Sequence, residues 1–168
     1  IDDFLENVEL EKTRLYLTEF SKSIHGGFVF IALYVYASCP KLFIDDIVDI
    51  LTNRHILCNA PSWVEYQAVE ALRVSFPLMT DVQKKRIVDR ILSIHDDSEY
   101  SFYQKDKLIR LEYGHPILDV DIHKGKALDV IDLAELKKLS WSAYQERQRI
   151  DRKFRLERLE NTKPSSMS

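Results

Sequence analysis

Two histidines and two aspartates in the stretch GHPILDVDIHKGK, residues 114–126, are spaced H-x-x-x-D-x-D-x-H. Imidazole and carboxylate are the ligand types that hold a divalent ion. Were 117–123 a strand, Asp119, Asp121 and His123 would share one face, because strand side chains alternate. His115 would join them only if the chain curled back across Pro116. The chemistry implied is a metal-dependent hydrolase centred on 115–123. A plainer reading is a short hairpin or an extended polar loop, since Gly114 and Pro116 already supply turn chemistry around His115.

The plainer reading is favoured because no second ligand cluster accompanies the stretch. The chain contains no H-E-x-x-H, no paired cysteines, no EF-hand loop, no G-x-x-x-x-G-K-[ST] and no G-x-G-x-x-G. Cys39 and Cys58 have no recognisable histidine partner, and two thiols make no disulfide framework, so both are read as reduced and cytosolic. His25, His55 and His95 stand at turns or helix ends, where local structure explains them. The sequence thus nominates no catalytic residue, no metal ligand and no cofactor.

The elements that must carry any function are helical. Of 168 residues only four are glycine (Gly26, Gly27, Gly114 and Gly125), too few for the many turns of an α/β or all-β chain. A net charge of −3 gives no global attraction to nucleic acid or to an anionic membrane. Apolar periodicity predicts helices over 3–22, 28–38, 41–51 (with Pro40 close to a first-turn position), 62–76, 82–94 and 99–113, and a last helix from about Asp132 to about Asn161. Three N-terminal capping boxes are expected, at Ser62/Glu65, Thr80/Gln83 and Asp132/Glu135. The apolar run 27–39 is shorter than the roughly 20 residues a bilayer span needs and reads as a buried helix. A single domain, 1–161, precedes a disordered tail at 162–168. Starting at Ile1, with no signal peptide, the chain reads as the cytoplasmic C-terminal part of a longer protein.

The tripeptide IVD occurs at 47–49 and again at 87–89, an offset of 40. Each copy lies in the second helix of a predicted pair. The segments FVFIALYVYASCPKLFIDDIVDIL (28–51) and WVEYQAVEALRVSFPLMTDVQKKRIVDRIL (63–92) resemble HEAT-type repeats, over about 28–95. The resemblance implies an all-α fold: a right-handed stack of antiparallel helix pairs, a fragment of an α-solenoid, closed by the long C-terminal helix. It also implies a curved scaffold that binds a protein or nucleic acid along one surface. A compact helical bundle is the alternative architecture.

Charge adds two candidate surfaces. Asp45, Asp46 and Asp49 line one arc of the first outer helix, while Lys84, Lys85, Arg86 and Arg90 lie on the second. If the two helices are neighbours, opposite charges meet. The last helix carries Arg147, Arg149, Arg152, Lys153, Arg155 and Arg158 as possible partner-binding residues, interspersed with Glu146, Asp151, Glu157 and Glu160. That mixture predicts charges that are mainly intramolecular or turned to a partner, not a phosphate-binding stripe. The function expected is a non-catalytic interaction or scaffold module for a protein partner. The alternatives are a regulatory or sensor arm of a nucleotide-hydrolysing or nucleic-acid-processing enzyme, and a helical domain that binds nucleic acid.

Overall fold

The computed structural model describes residues 2–53, 56–94 and 120–162, and all the regular structure among them is helical. The predicted helix over 99–113 lies outside the described residues. In chain order the helices are α1 (Asp2–Lys22), α2 (Gly26–Ser38), α3 (Pro40–Asn53), the short α4 (Ile56–Asn59) and α5 (Ser62–Ser75). A 3₁₀ turn at Phe76–Leu78 leads to α6 (Asp81–Leu92). After the undescribed stretch come α7 (Val120–Asp129), α8 (Leu133–Leu139) and α9 (Trp141–Asn161).

Local sequence explains most of the boundaries. His25 is extended (φ −85°, ψ 117°) and immediately precedes α2, so Gly26 and Gly27 open that helix and do not merely end the one before it. Thr80 and Gln83 form the full reciprocal capping box of α6. Asp132 accepts a hydrogen bond from the Glu135 N–H at the start of α8. The Ser62/Glu65 box is absent. Pro61 is the N-cap of α5 without a side-chain bond, and Glu65 is turned inward. The long terminal helix is also two helices. Ser140, extended at φ −157° and ψ 109°, separates α8 from α9 and caps α9 by accepting from the Ala143 N–H.

The hairpin or extended loop expected through 117–123 is not found where the chain is described: Val120–Asp129 is α7. The period-two alternation of Val120, Ile122 and Lys124 loses to a helical spacing. Ala127, Leu128 and Ile131 are all buried, and Gly125 allows α7 to press against α9. A Cβ at Gly125 would sit 3.3 Å from Ile150 Cγ2.

One core runs through the described helices. Ile47, Val48, Leu51, Leu72, Ile87, Val88 and Ile91 are all buried in it, as the helical periodicity requires. α2 packs between α1 and α5, and α3 packs on both α5 and α6. α2 and α5 run parallel. At their N-terminal ends Gly26 approaches Trp63, and towards their C-terminal ends Ala37 and Val74 line one shallow groove. α7 rests on α4, α5 and α6, and α8 and α9 complete the far end. The outer charges of α3 and α6 meet as neighbours. Asp49 pairs with Arg86 at 3.4 Å, and Asp45 accepts from Gln83 at 2.7 Å. Asp46 faces Arg14 of α1 instead, and Lys84 reaches Glu135 of α8.

Candidate partner-binding surface

Asp121 and His123 do not converge. Two residues apart on a helix, they are separated by roughly 200° around its axis, and each is engaged elsewhere. Asp121 accepts from Arg149 at 2.5 Å and from Lys153 at 2.8 Å. The Arg149 hydrogen bond, reinforced by Lys153, lowers the Asp121 carboxyl to about 2. His123 Nδ1 lies 2.8 Å from Glu65 Oε2, and Lys126 Nζ lies 3.2 Å from Glu65 Oε1. Neither His123 Nδ1 nor Glu65 Oε1 completes an aligned hydrogen bond, so the contact is a close polar approach between α5 and α7, to which Lys126 adds an ion pair with Glu65. His115 and Asp119 lie outside the described residues, as do His55 and His95. Among the described residues no three His, Cys, Asp or Glu side chains are grouped to hold a metal ion.

A second polar cluster lies between α1, α2 and α3. A cavity of about 200 Å³ is lined by Thr18, Ser21, Tyr36, Asp46, Asp49 and Asn53, among others. Burial, with the nearby Asp46 charge, pushes the Tyr36 hydroxyl up to about 12. Burial also raises the Asp46 carboxyl, against the opposing pull of Arg14. A phenol held that high is a poor base or nucleophile near neutral pH. Cys39 is free and exposed.

The six basic residues of the last helix divide into two sets. Arg147 donates to the Leu128 and Ile131 carbonyls and pairs with Asp129. Arg149 clamps Asp121 and Glu146, and Lys153 joins it on Asp121. Arg149 hydrogen bonding accordingly lowers Glu146 and raises the guanidinium itself. These three residues fasten α9 to α7. Arg152 and Arg155 are exposed and make no ion pair among the described residues, while Arg158 donates only to the Phe154 carbonyl of its own helix.

An exposed apolar row lies elsewhere. On α2, Gly26, Val29, Ala32, Leu33 and Tyr36 are buried on one arc. Phe28, Ile31 and Tyr34 stand exposed on the opposite arc, Tyr34 at 57%. On α5, Trp63 and Tyr66 are exposed in the same way, Tyr66 at 66%. Because α2 and α5 lie side by side, the two rows form one surface. Phe30 connects them, its ring 5.6 Å from Trp63 and 6.4 Å from Tyr34. Glu70 and Arg73, paired with each other, border it.

No protein-family model, curated protein or solved structure matches the chain.

The run 27–39 is therefore not a wholly buried helix. Its apolar residues occupy two opposite arcs, and only one of them faces the core. The available signal was residue type. The exposed arcs hold Tyr34, Trp63 and Tyr66, rings with polar atoms that tolerate water, whereas the core arc of α2 is chiefly aliphatic. Glu65 was also misplaced. Expected to close a capping box with Ser62, it points inward to α7 instead. Among the described residues no helix is long and apolar enough to cross a membrane.

Proposed function

We propose that this chain is a non-catalytic helical-repeat module that presents the exposed face of α2 and α5 to a protein partner. The observation that carries the reading is the row Phe28, Ile31, Tyr34, Trp63 and Tyr66, displayed to solvent by two adjacent parallel helices. Contiguous apolar surface of this kind marks interaction sites, and tyrosine and tryptophan are the residues enriched where binding energy concentrates. The packing of α2/α3 against α5/α6 supports the repeat architecture. The first helices of the two pairs lie together, and so do the second helices, as stacked HEAT-type pairs would.

The experiment compares the proteins that co-purify with the wild-type chain and with a Tyr34→Asp, Tyr66→Asp double variant, under conditions where both are folded. The reading expects a discrete partner that the double variant loses and that Arg152→Gln with Arg155→Gln retains. A partner set unchanged by the α2/α5 substitutions would rule this surface out.

A further inference from the structure

We infer that the outward face of α9, continued onto α8, is a binding surface for single-stranded nucleic acid. On the linear sequence, acids and bases alternate along α9 and argue against a polyanion. Folding separates them. At about 3.6 residues per turn, the positions within about 60° of Trp141 are Tyr144, Gln145, Gln148, Arg152, Arg155, Leu156 and Leu159. None is a carboxylate. Glu146, Glu157 and Glu160 fall towards the other sides of the helix, and Asp151, at the edge, is within 3.8 Å of Arg147.

The charges on this face are available. Arg152 and Arg155 are exposed and form no ion pair among the described residues, in contrast to Arg147, Arg149 and Lys153. Lys137 and Lys138 extend the positive surface onto α8, also exposed and without an ion pair among the described residues. From Trp141 to Arg155 the face runs roughly 21 Å at 1.5 Å per residue.

The rings select the partner. Trp141 is 55% exposed and stacks on Tyr144, with centroids 5.2 Å apart. The Lys137 ammonium lies 5.6 Å from the Trp141 ring centroid and 5.4 Å from that of Tyr144. An exposed aromatic platform beside a line of cations is the combination that holds single strands: bases stack on the rings while phosphates meet the charges. An acidic polypeptide would use the cations and have no comparable need of the Trp141 ring. A duplex keeps its bases stacked away from it.

The test is fluorescence anisotropy of a labelled oligothymidylate titrated with the full chain at low salt, about 50 mM, and near-physiological salt, about 150 mM. The expected result is saturable binding at low salt that weakens as salt rises. Trp141→Ala should weaken it about tenfold or more, the size of one lost base stack. Arg152→Gln with Arg155→Gln should weaken it and reduce the slope of log affinity against log salt by about 1.4, for two phosphate contacts on a single strand. Circular dichroism checks that each variant keeps its helix content. Absence of binding at low salt overturns the inference. So does binding indifferent to Trp141→Ala, equal binding of a same-length duplex, or equal competition by polyglutamate, which would assign the face to an acidic protein.

Discussion

Glu65 of α5 and His123 of α7 approach to 2.8 Å across an interface where the Glu65 side chain is only 3% exposed. Removing His123 takes from the buried Glu65 side chain its nearest polar neighbour, and a buried polar group left unsatisfied costs about 1–3 kcal/mol. Lys126 also reaches Glu65, at 3.2 Å, and softens the loss. His123→Ala should therefore destabilise the chain by about 1–3 kcal/mol. Glu65→Leu with His123→Leu should cost less than His123→Ala alone, because no buried charge remains. Urea unfolding of the three proteins checks this. A double variant less stable than the single one would contradict it.

Gly125 and Gly27, both within helices, should respond in opposite directions. A Cβ at Gly125 meets Ile150 at 3.3 Å, and one at Gly27 meets nothing within 4 Å. Gly125→Leu forces α7 away from α9 and should cost about 1–3 kcal/mol or more. Gly27→Ala should stabilise by about 0.4–1 kcal/mol, since it restricts the unfolded chain at no steric cost. Thermal unfolding compared with the parent reads both signs.

Acid should dissolve the Asp121 clamp on α9. The Asp121 carboxyl titrates at about 2 in the folded chain and near 3.9 when unfolded. A depressed acid stabilises the fold above its unfolded value, and the contribution is lost as pH falls from about 4 through about 2. Asp121→Asn should be less stable than the parent near pH 6, with the gap narrowing below pH 4 and closing towards pH 2. A gap independent of pH would show that Arg149 and Lys153 do not act through that charge.

Leu72 is fully buried in the common core. Leu72→Ala removes packing that its neighbours recover only in part, at a cost of about 2–5 kcal/mol. A loss under about 0.5 kcal/mol in urea unfolding would mean that this face of α5 is not a core face.

Much of the architecture was legible because helical periodicity states which side of each helix is apolar. Ile47, Leu51, Ile87 and Ile91 were readable as core on spacing alone. What was not legible depended on partners distant in the chain. Asp121 and His123 look like neighbours in a period-two pattern, and only the packing of Ala127, Leu128 and Gly125 against other helices makes their segment helical. The reversal at Glu65 has the same origin. Its capping-box spacing is a local signal, and the packing of α5 on α7, which brings His123 and Lys126 from 58 and 61 positions further on to Glu65, outweighs it. The α2 surface was hidden for a different reason. A helix apolar on both sides carries no contrast to mark which arc meets the core, and α1, α3 and α5 together decide it. On α9, the even mixture of signs in the sequence concealed that folding pairs Arg147, Arg149 and Lys153 with acids of α7 and α9 and leaves Arg152 and Arg155 without an ion pair among the described residues.

The most direct test of the protein-binding surface places a photo-crosslinking amino acid at Tyr66, the most exposed ring of the α2–α5 row, and another at Asp89 on the exposed side of α6. Irradiation in the native cell followed by mass spectrometry should give a defined crosslinked protein from position 66, absent from position 89 and competed away by untagged wild-type chain. The same crosslinks from both positions, or none from position 66, would contradict the account.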